Sequence, residues 1–476
     1  MGVTHKPNIA LPKKWKGIRD ISFALIISLL AGSAAASLAT VITSTRYPFL
    51  SGLVALFVLI AMLPVIYRLL TNTFDTFEAE NVVILFYSLY SLSVPLHLLF
   101  SPDATTEQLR LSTQALELCL LGLLFFLVGY HNRLGNALAQ IVPTLPPRWK
   151  LKKLRYIGRC YLLLGIALFL GLVGIVGIST YFRAGYAGRA LLKLEFGPLE
   201  LGLYVFQIGL LLYCFYYFLV RKRPSFWIIA LYSLYVLLVL QVGIRRPLLG
   251  LLLASFAAWH YLVKKIPFTK AVLIAIIFGI LLVLFAFVRQ PIASYGFAAG
   301  IKHLIDNFEW SWFDLSRTEF GAPFKNLLDI LEIVPDREGY LYGSSYWQSI
   351  ENLLPRFMYP SRPLTLSEWY TKTFFSEEFV RAGGNMGFFI VSEAYINWGV
   401  IGVMIVMFSW GTLLKALYAY MRRDLHNTSA LFVYSISLAW IVFAMRVDFA
   451  ATLKGFLITA FLPAMFAIMI ITYNPQ

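Results

Sequence analysis

Charged side chains are scarce in this sequence. They make up 13% of the 476 residues, against 59% hydrophobic residues, and the mean hydropathy is +0.73. A chain with so little charge cannot cover a water-soluble globule with polar surface. Its apolar runs repeatedly reach the length of about twenty residues that a bilayer-spanning helix needs. The composition therefore predicts an all-α, polytopic integral membrane protein.

Motifs for metal and nucleotide chemistry are also missing. There is no Walker motif, no HExxH and no cysteine–histidine cluster, and the six histidines are scattered. The three cysteines, Cys119, Cys160 and Cys214, fall in apolar runs without metal-ligand spacing. We therefore expect no cofactor and no metal, and a metal-dependent or ATP-driven reaction is disfavoured. A reaction at the membrane would then need a substrate that is already activated, such as a lipid pyrophosphate.

The hydropathy pattern predicts about twelve spans. The basic segment before the first one leads into an apolar run that is typical of a first span rather than of a cleavable signal peptide. The predicted spans are 21–43, 48–70, 81–100, 111–130, 156–178, 198–220, 225–242, 247–263, 270–289, 387–414, 428–445 and 450–472. Three regions follow: spans 1–9 in residues 1–289, a large loop in 290–386, and spans 10–12 in 387–476.

The basic clusters predict the orientation. With a cytoplasmic N-terminus, the clusters near Lys13, Arg148, Arg221, Lys264 and Arg422 all face inward, as the positive-inside rule requires. Both termini are then cytoplasmic and the large loop is outside. The net charge of +16 becomes an orientation signal and an attraction to anionic headgroups, so we expect membrane lipid as a partner and no nucleic acid.

The predicted outer side carries more arginine than lysine. Planar bidentate recognition of phosphate favours arginine, so the sequence predicts an anion site on this side. Arg245 and Arg246 repel each other unless an anion lies beside them; the alternative is that they reach to lipid headgroups. Arg289 and Arg446 could converge at the same depth, although a local ion pair with Asp448 would also explain Arg446. The other candidates are Arg183 and Arg189, each of which could contact substrate or lipid.

The large loop is too long for a passive connector. Its amphipathic stretches, with Trp310, Trp312, Trp347 and Trp369 among them, predict short helices at the membrane interface. A lid and a substrate-binding element are both compatible with this pattern. We expect most loop arginines to be in ordinary ion pairs, and the substrate-binding candidates among them are Arg356, Arg362 and Arg381.

The segment RAGGNMGFFIVSEAYINWGVIGV, residues 381–403, leads from the loop into the tenth span. Glu393 lies near the outer end of this span, where an ionisable group is costly unless it is paired or functional. One reading is a salt bridge with an outer arginine. The other makes Glu393 a general base or an acceptor for a sugar hydroxyl.

The chain resembles the Wzy-type O-antigen polymerases, the oligosaccharide repeat-unit polymerases of bacterial surface polysaccharides. The resemblance rests on the IRRPLL turn around Arg245 and Arg246, on the large outer loop, and on a glycine, glutamate and Asn-x-Gly pattern at Glu393, Asn397 and Gly399. It implies a fold similar to the GT-C-type membrane glycosyltransferases. It also implies a location in the bacterial inner membrane, with the loop in the periplasm.

This resemblance implies transfer of a growing glycan from undecaprenyl pyrophosphate to a lipid-linked repeat unit, without metal. The catalytic residues would be Glu393, Arg245 and Arg246, with Arg289 and Arg446 on the pyrophosphate. The implied partners are undecaprenyl-pyrophosphate-linked oligosaccharides. A chain-length-regulating co-polymerase is a further candidate partner that the sequence neither requires nor excludes.

Two alternatives remain. An O-antigen ligase, which transfers glycan to the lipid A core, is expected to rely on an outer-loop histidine, and His303 is the one available. A transporter or flippase of lipid-linked sugars would show internal repeats and charges near the midplane.

Overall fold

The computed structural model describes residues 48–177, 185–222, 225–242, 246–295, 302–303, 305–307, 309–354, 358–381 and 384–473. Every regular element in these ranges is a helix. The chain divides into two compact units, Met1–Asp75 and Thr76–Gln476. The first contains helix α1, Pro48–Leu70; the predicted span 21–43 lies outside the described residues.

The second unit begins with eight helices that precede the large loop. They are α2 (Ala79–Phe100), α3 (Thr106–His131), α4 (Leu134–Ile141), α5 (Leu151–Val176), α6 (Gly185–Arg221), α7 (Phe226–Val242), α8 (Arg246–Leu262) and α9 (Phe268–Tyr295).

The loop and the C-terminal part contribute the remaining helices. Those of the loop are α10 (Ala322–Ile333), α11 (Ser344–Glu351), α12 (Leu366–Phe374) and α13 (Glu377–Arg381), preceded by two short 3-10 turns, Trp310–Phe313 and Leu315–Arg317. The last helices are α14 (Ile390–Arg423), α15 (Thr428–Ala444), α16 (Phe449–Phe456) and α17 (Leu462–Thr472), with a π-helical segment, Leu457–Phe461, between α16 and α17.

Seven helical stretches of the described chain are long and apolar enough to cross a membrane. They are Pro48–Leu70, Ala79–Phe100, Thr106–His131, Leu151–Ile175, Leu201–Arg221, Ile390–Arg423 and Phe449–Thr472. Four shorter apolar helical stretches lie at Phe226–Val239, Pro247–Leu262, Phe268–Leu281 and Thr428–Ala444. The protein is therefore all-helical and membrane-embedded. Of the twelve predicted spans, seven coincide with a helix long enough to cross a membrane, four coincide with a shorter apolar helix, and 21–43 lies outside the described residues.

Two helices extend beyond the spans predicted for them. Helix α6 begins at Gly185 rather than at 198, so it includes the segment of Arg189 that was expected to be a loop. Helix α9 continues to Tyr295, which places Arg289 within the helix and not at its end. Both extensions add residues that are less apolar than the spans, so a hydropathy window ends before the helix does.

Helices α3 and α14 pack with their backbones in close approach. A Cβ atom at Gly129 would lie 2.1 Å from the carbonyl oxygen of Phe408, and one at Gly411 would lie 2.2 Å from that of Phe126. Membrane helices use such small residues to gain van der Waals contact. The seam between α3 and α14 therefore requires glycine at both positions.

The loop residues 309–354 and 358–381, here called the cap, pack on one end of the second unit. The carboxylate of Asp314 lies 3.0 Å from Nδ1 of His97 near the end of α2, and Ser93 Oγ donates to the carbonyl of Phe320. The cap and the start of α14 also share a hydrophobic core, whose buried members are Ile330, Ile333, Val334, Leu366, Tyr370, Phe388 and Ile396. The cap is thus a folded element joined to the helices, as a lid or a binding element requires.

Candidate functional site

Asn397 joins the cap to α14. Its Nδ2 donates to Ser345 Oγ at 2.8 Å and to the backbone carbonyl of Glu393 at 2.7 Å. Its Oδ1 accepts from the backbone N–H of Gly343 at 2.9 Å. The backbone carbonyl of Asn397 accepts from the N–H of Tyr342 at 3.0 Å. A fully buried amide with these partners fixes the start of α11 against α14.

Glu393 lies one helical turn before Asn397 and is only 3% exposed. One carboxylate oxygen accepts from Ser345 Oγ at 3.2 Å, and the other accepts from the backbone N–H of Phe449 at 2.7 Å. Phe449 is the first residue of α16, so the carboxylate lies where helix N–H groups and the helix dipole favour an acceptor. In the described chain its partners are therefore a hydroxyl and a backbone amide, rather than the arginine considered from the sequence.

A kink in α14 follows directly after Asn397. Gly399 has φ +61° and ψ −145°, a region that is essentially limited to glycine. The break brings Trp398 against the cap, where its ring stacks on Tyr346 with a centroid distance of 5.5 Å and an interplanar angle of 14°. Gly343 has φ +89°, and a Cβ there would meet the Trp398 ring at 2.5 Å. Within the Asn-x-Gly pattern, Asn397 thus supplies the hydrogen bonds between the cap and α14, and Gly399 supplies the kink in α14.

Tyr346 completes the junction on the cap side. Its ring packs edge-on against Phe449 with the centroids 5.6 Å apart. Burial raises the pKa of Tyr346 well above its ordinary value, and the nearby Glu393 acts in the same direction. We call Glu393, Asn397, Ser345, Tyr346 and Trp398 the junction cluster.

Asp448 belongs to the capping of α16 and not to an ion pair with Arg446. Its Oδ1 accepts from the N–H of Ala451 at 2.7 Å, as an N-cap aspartate does, and its Oδ2 accepts from the N–H of Ser367 at 3.0 Å. Arg446 instead donates through a guanidinium nitrogen to Glu319 Oε2 at 2.9 Å. The local ion pair with Asp448, considered from the sequence as an alternative explanation for Arg446, is therefore not formed, because Asp448 caps α16 and Arg446 pairs with Glu319.

Two cations meet at the end of α11. Lys454 Nζ donates to the backbone carbonyl of Asn352 at 2.9 Å, and a guanidinium nitrogen of Arg362 reaches the same oxygen at 3.4 Å. Cations that bond the last carbonyls of a helix also interact favourably with its dipole. Arg362 was a candidate from the sequence, whereas Lys454 was missed. An ionisable residue inside the predicted span 450–472 was the signal that could have found it.

The remaining candidate arginines divide into those that the structure describes and those that it does not. Arg381 is 79% exposed at its side chain and forms an ion pair of 2.6 Å with Glu377 four residues earlier. Arg189, Arg246 and Arg289 lie on α6, α8 and α9, and their side chains are outside the description. Arg183, Arg245 and Arg356 lie outside the described residues. Pro247 occupies the first turn of α8, where its missing N–H costs nothing.

The tryptophans of the loop have different environments. Trp312 stacks on Phe287 of α9 with the centroids 4.5 Å apart, and Trp369 packs against the cap core. Trp347 is 68% exposed. The cap core also contains a hydrogen bond of 2.5 Å from Tyr370 Oη to Asp329. Burial raises the pKa of Asp329, and the bond from Tyr370 opposes that shift.

Within the described residues, no three histidine, cysteine, aspartate or glutamate side chains lie together as metal ligands would. His303, the histidine considered for a ligase, is exposed, and the amide nitrogen of Asn307 lies 3.2 Å from its Nδ1.

Part of the chain matches a known protein family. Residues 309–423 match the model of a family described as a domain of unknown function (DUF8712). This stretch contains the cap, the junction cluster and α14 to its last residue. No curated protein matches the chain, and no solved structure matches it.

Proposed function

We propose that this protein is a membrane glycosyltransferase of the Wzy type, which polymerises lipid-linked oligosaccharide repeat units at the outer face of a bacterial inner membrane. One observation carries the proposal. Glu393, Asn397 and Gly399, on which the family resemblance rests, form the joint between the cap and a membrane helix. An enzyme acting on a lipid-linked glycan needs such a joint, because the glycan is in water while its carrier is in the bilayer.

The proposed reaction forms a bond from an acceptor hydroxyl oxygen to the anomeric carbon of the growing glycan. The bond from that carbon to the pyrophosphate oxygen breaks, and undecaprenyl pyrophosphate leaves with its negative charge. Guanidinium groups can stabilise this charge without a metal. We assign this role to Arg245, Arg246 and Arg289, with Arg446 beside them. The acceptor proton passes to a base.

Glu393 stays our candidate for that base, and its geometry supports a positioning role as well. Both carboxylate oxygens accept hydrogen bonds, from the cap through Ser345 and from α16 through Phe449. Glu393→Gln keeps the shape of the side chain but cannot take a proton, whereas Glu393→Ala removes the link altogether. If both variants lose activity while the cap of Glu393→Gln stays docked, the result supports Glu393 as the general base. Activity kept in Glu393→Gln and lost in Glu393→Ala assigns positioning alone.

The decisive test uses the purified full-length chain in proteoliposomes with an undecaprenyl-pyrophosphate-linked repeat unit and a chelator. We expect a ladder of polymer on a gel. Product that forms only when lipid A core is added would indicate the ligase instead. Movement of the substrate between leaflets without polymer would indicate the flippase.

The arginine assignment has its own test. Arg246→Lys keeps the charge but not the planar fork, and we expect polymerisation to fall by about a hundredfold, as when a donor to a developing negative charge is removed. Arg110→Lys is the matched control, since this exposed arginine pairs with Glu107 on its own helix and is not among the candidate site residues. Polymer of normal length from Arg246→Lys would contradict the assignment.

A further inference from the structure

The short helix α11 has its polar and apolar faces inverted relative to a helix in water. Ser349 is fully buried and Ser345 nearly so, against the rest of the protein. Trp347 is 68% exposed and Ile350 is 53% exposed. A helix on the surface of a soluble protein buries its apolar stripe and exposes its polar side. The arrangement in α11 is therefore that of a helix whose outer face meets an apolar medium.

Further apolar side chains are exposed in the chain after α11. They are Leu354, Met358 and Leu364. Exposed apolar patches of this kind mark sites of protein or membrane contact. The apolar face of α11 is therefore the part of the cap suited to such a contact.

Continuity with α14 identifies what that face contacts. Trp398 stacks on Tyr346 of α11, and directly after the kink α14 exposes Val400, Ile401 and Ile405. These residues belong to a helix that is long and apolar enough to cross a membrane, so this face of α14 contacts lipid. The apolar face of α11 thus adjoins a lipid-facing surface through the Tyr346–Trp398 stack.

The two ends of this region carry the side chains that favour a membrane–water interface. Tryptophan and tyrosine concentrate at the headgroup level, and lysine and arginine direct their charge to it. Tyr342 is exposed just before α11, and Trp347 is exposed within it. Lys454 and Arg362 meet at the carbonyl of Asn352 just after it.

We propose that α11 lies in the headgroup region of the bilayer, with Trp347 and Ile350 inserted at the boundary of the acyl chains. The bilayer surface is then a binding partner of the cap, which is held to the membrane at α11 as well as through α14. This inference rests on the membrane-embedded fold and does not depend on the proposed enzymatic activity.

The test places a fluorescent label on α11 in the full-length chain. Trp347→Cys and Ile350→Cys are each labelled with an environment-sensitive dye in a Cys160→Ser background, since Cys119 and Cys214 are buried. Glu332→Cys, on the exposed face of α10, is the matched control. The proteins are placed in vesicles of phosphatidylethanolamine and phosphatidylglycerol. Quenching is measured with nitroxide on the lipid headgroup and with iodide in the water.

We expect blue-shifted emission at both α11 positions, strong quenching by the lipid nitroxide, and iodide quenching several-fold weaker than at Glu332. Iodide quenching at Trp347 as strong as at Glu332 would overturn the proposal. Protection from both quenchers, with energy transfer between differently labelled copies, would also overturn it and would assign the face to a second copy of this chain.

Discussion

The amide of Asn397 provides the sharpest test of how the cap is held. Replacing Asn397 with alanine removes three hydrogen bonds, two donated by Nδ2 and one accepted by Oδ1. The N–H of Gly343 then has no acceptor from this side chain. A buried group that loses its partner costs about 1–3 kcal/mol, so we expect the local junction to weaken by about 3 kcal/mol.

Hydrogen exchange reports this change where it occurs. The N–H groups of Leu341, Tyr342 and Gly343 all bond to the segment 396–397, and their exchange follows opening of this contact. A loss of about 3 kcal/mol corresponds to exchange faster by roughly a hundredfold. Asn307→Ala is the control, because that exposed side chain bonds within its own turn to His303.

Asn397→Asp separates the donor role from the acceptor role. The aspartate keeps an oxygen for Gly343 but turns an acceptor toward the Glu393 carbonyl, which lies 2.7 Å from the native nitrogen. We therefore expect the aspartate variant to lose protection as the alanine variant does. Unchanged exchange at residues 341–343 in Asn397→Ala would refute the view that this amide holds the cap.

Three further outcomes follow from the geometry. Gly399 has φ +61°, and a Cβ there would lie 3.0 Å from Tyr340 Oη, so Gly399→Ala should destabilise the folded protein by about 1–3 kcal/mol, measured as a lower Tm in detergent. Gly171→Ala is the control, because a Cβ at that position meets open space. Equal Tm values for the two variants would contradict the backbone strain at Gly399. Arg446→Ala should increase protease cleavage of the cap, because it removes the 2.9 Å bond to Glu319, and an unchanged cleavage pattern would count against that link. Arg381→Ala should change the free energy of unfolding by no more than about 0.5 kcal/mol, seen as a nearly unchanged Tm, because exposed ion pairs contribute little; a clearly lower Tm would contradict this.

The membrane helices could be predicted from the sequence because hydropathy is a local property. Each apolar run after residue 48 coincides with a helix, and two of these helices extend beyond the predicted span, one starting at Gly185 and the other ending at Tyr295. A hydropathy average does not report where the backbone hydrogen bonds of a helix end, because polar turns can continue a helix beyond the bilayer.

The contacts of the candidate site could be predicted only in part. Glu393 was found because a carboxylate in an apolar helix is costly. Its partners were not, since Ser345 and Phe449 lie 48 and 56 residues away in sequence. The same reason explains why the partner of Arg446 was not found from the sequence. Its neighbour Asp448 is close in sequence, but Glu319, 127 residues away, is the partner.

The seam between α3 and α14 has a consequence for genetics. Because side-chain atoms at Gly129 and Gly411 would overlap a neighbouring carbonyl, a screen for loss of function should return substitutions at both positions. Such variants would lack correctly assembled protein in the membrane, whereas variants at a reacting group would accumulate normally. Measuring the amount of membrane protein beside the phenotype would therefore separate failed assembly from failed chemistry.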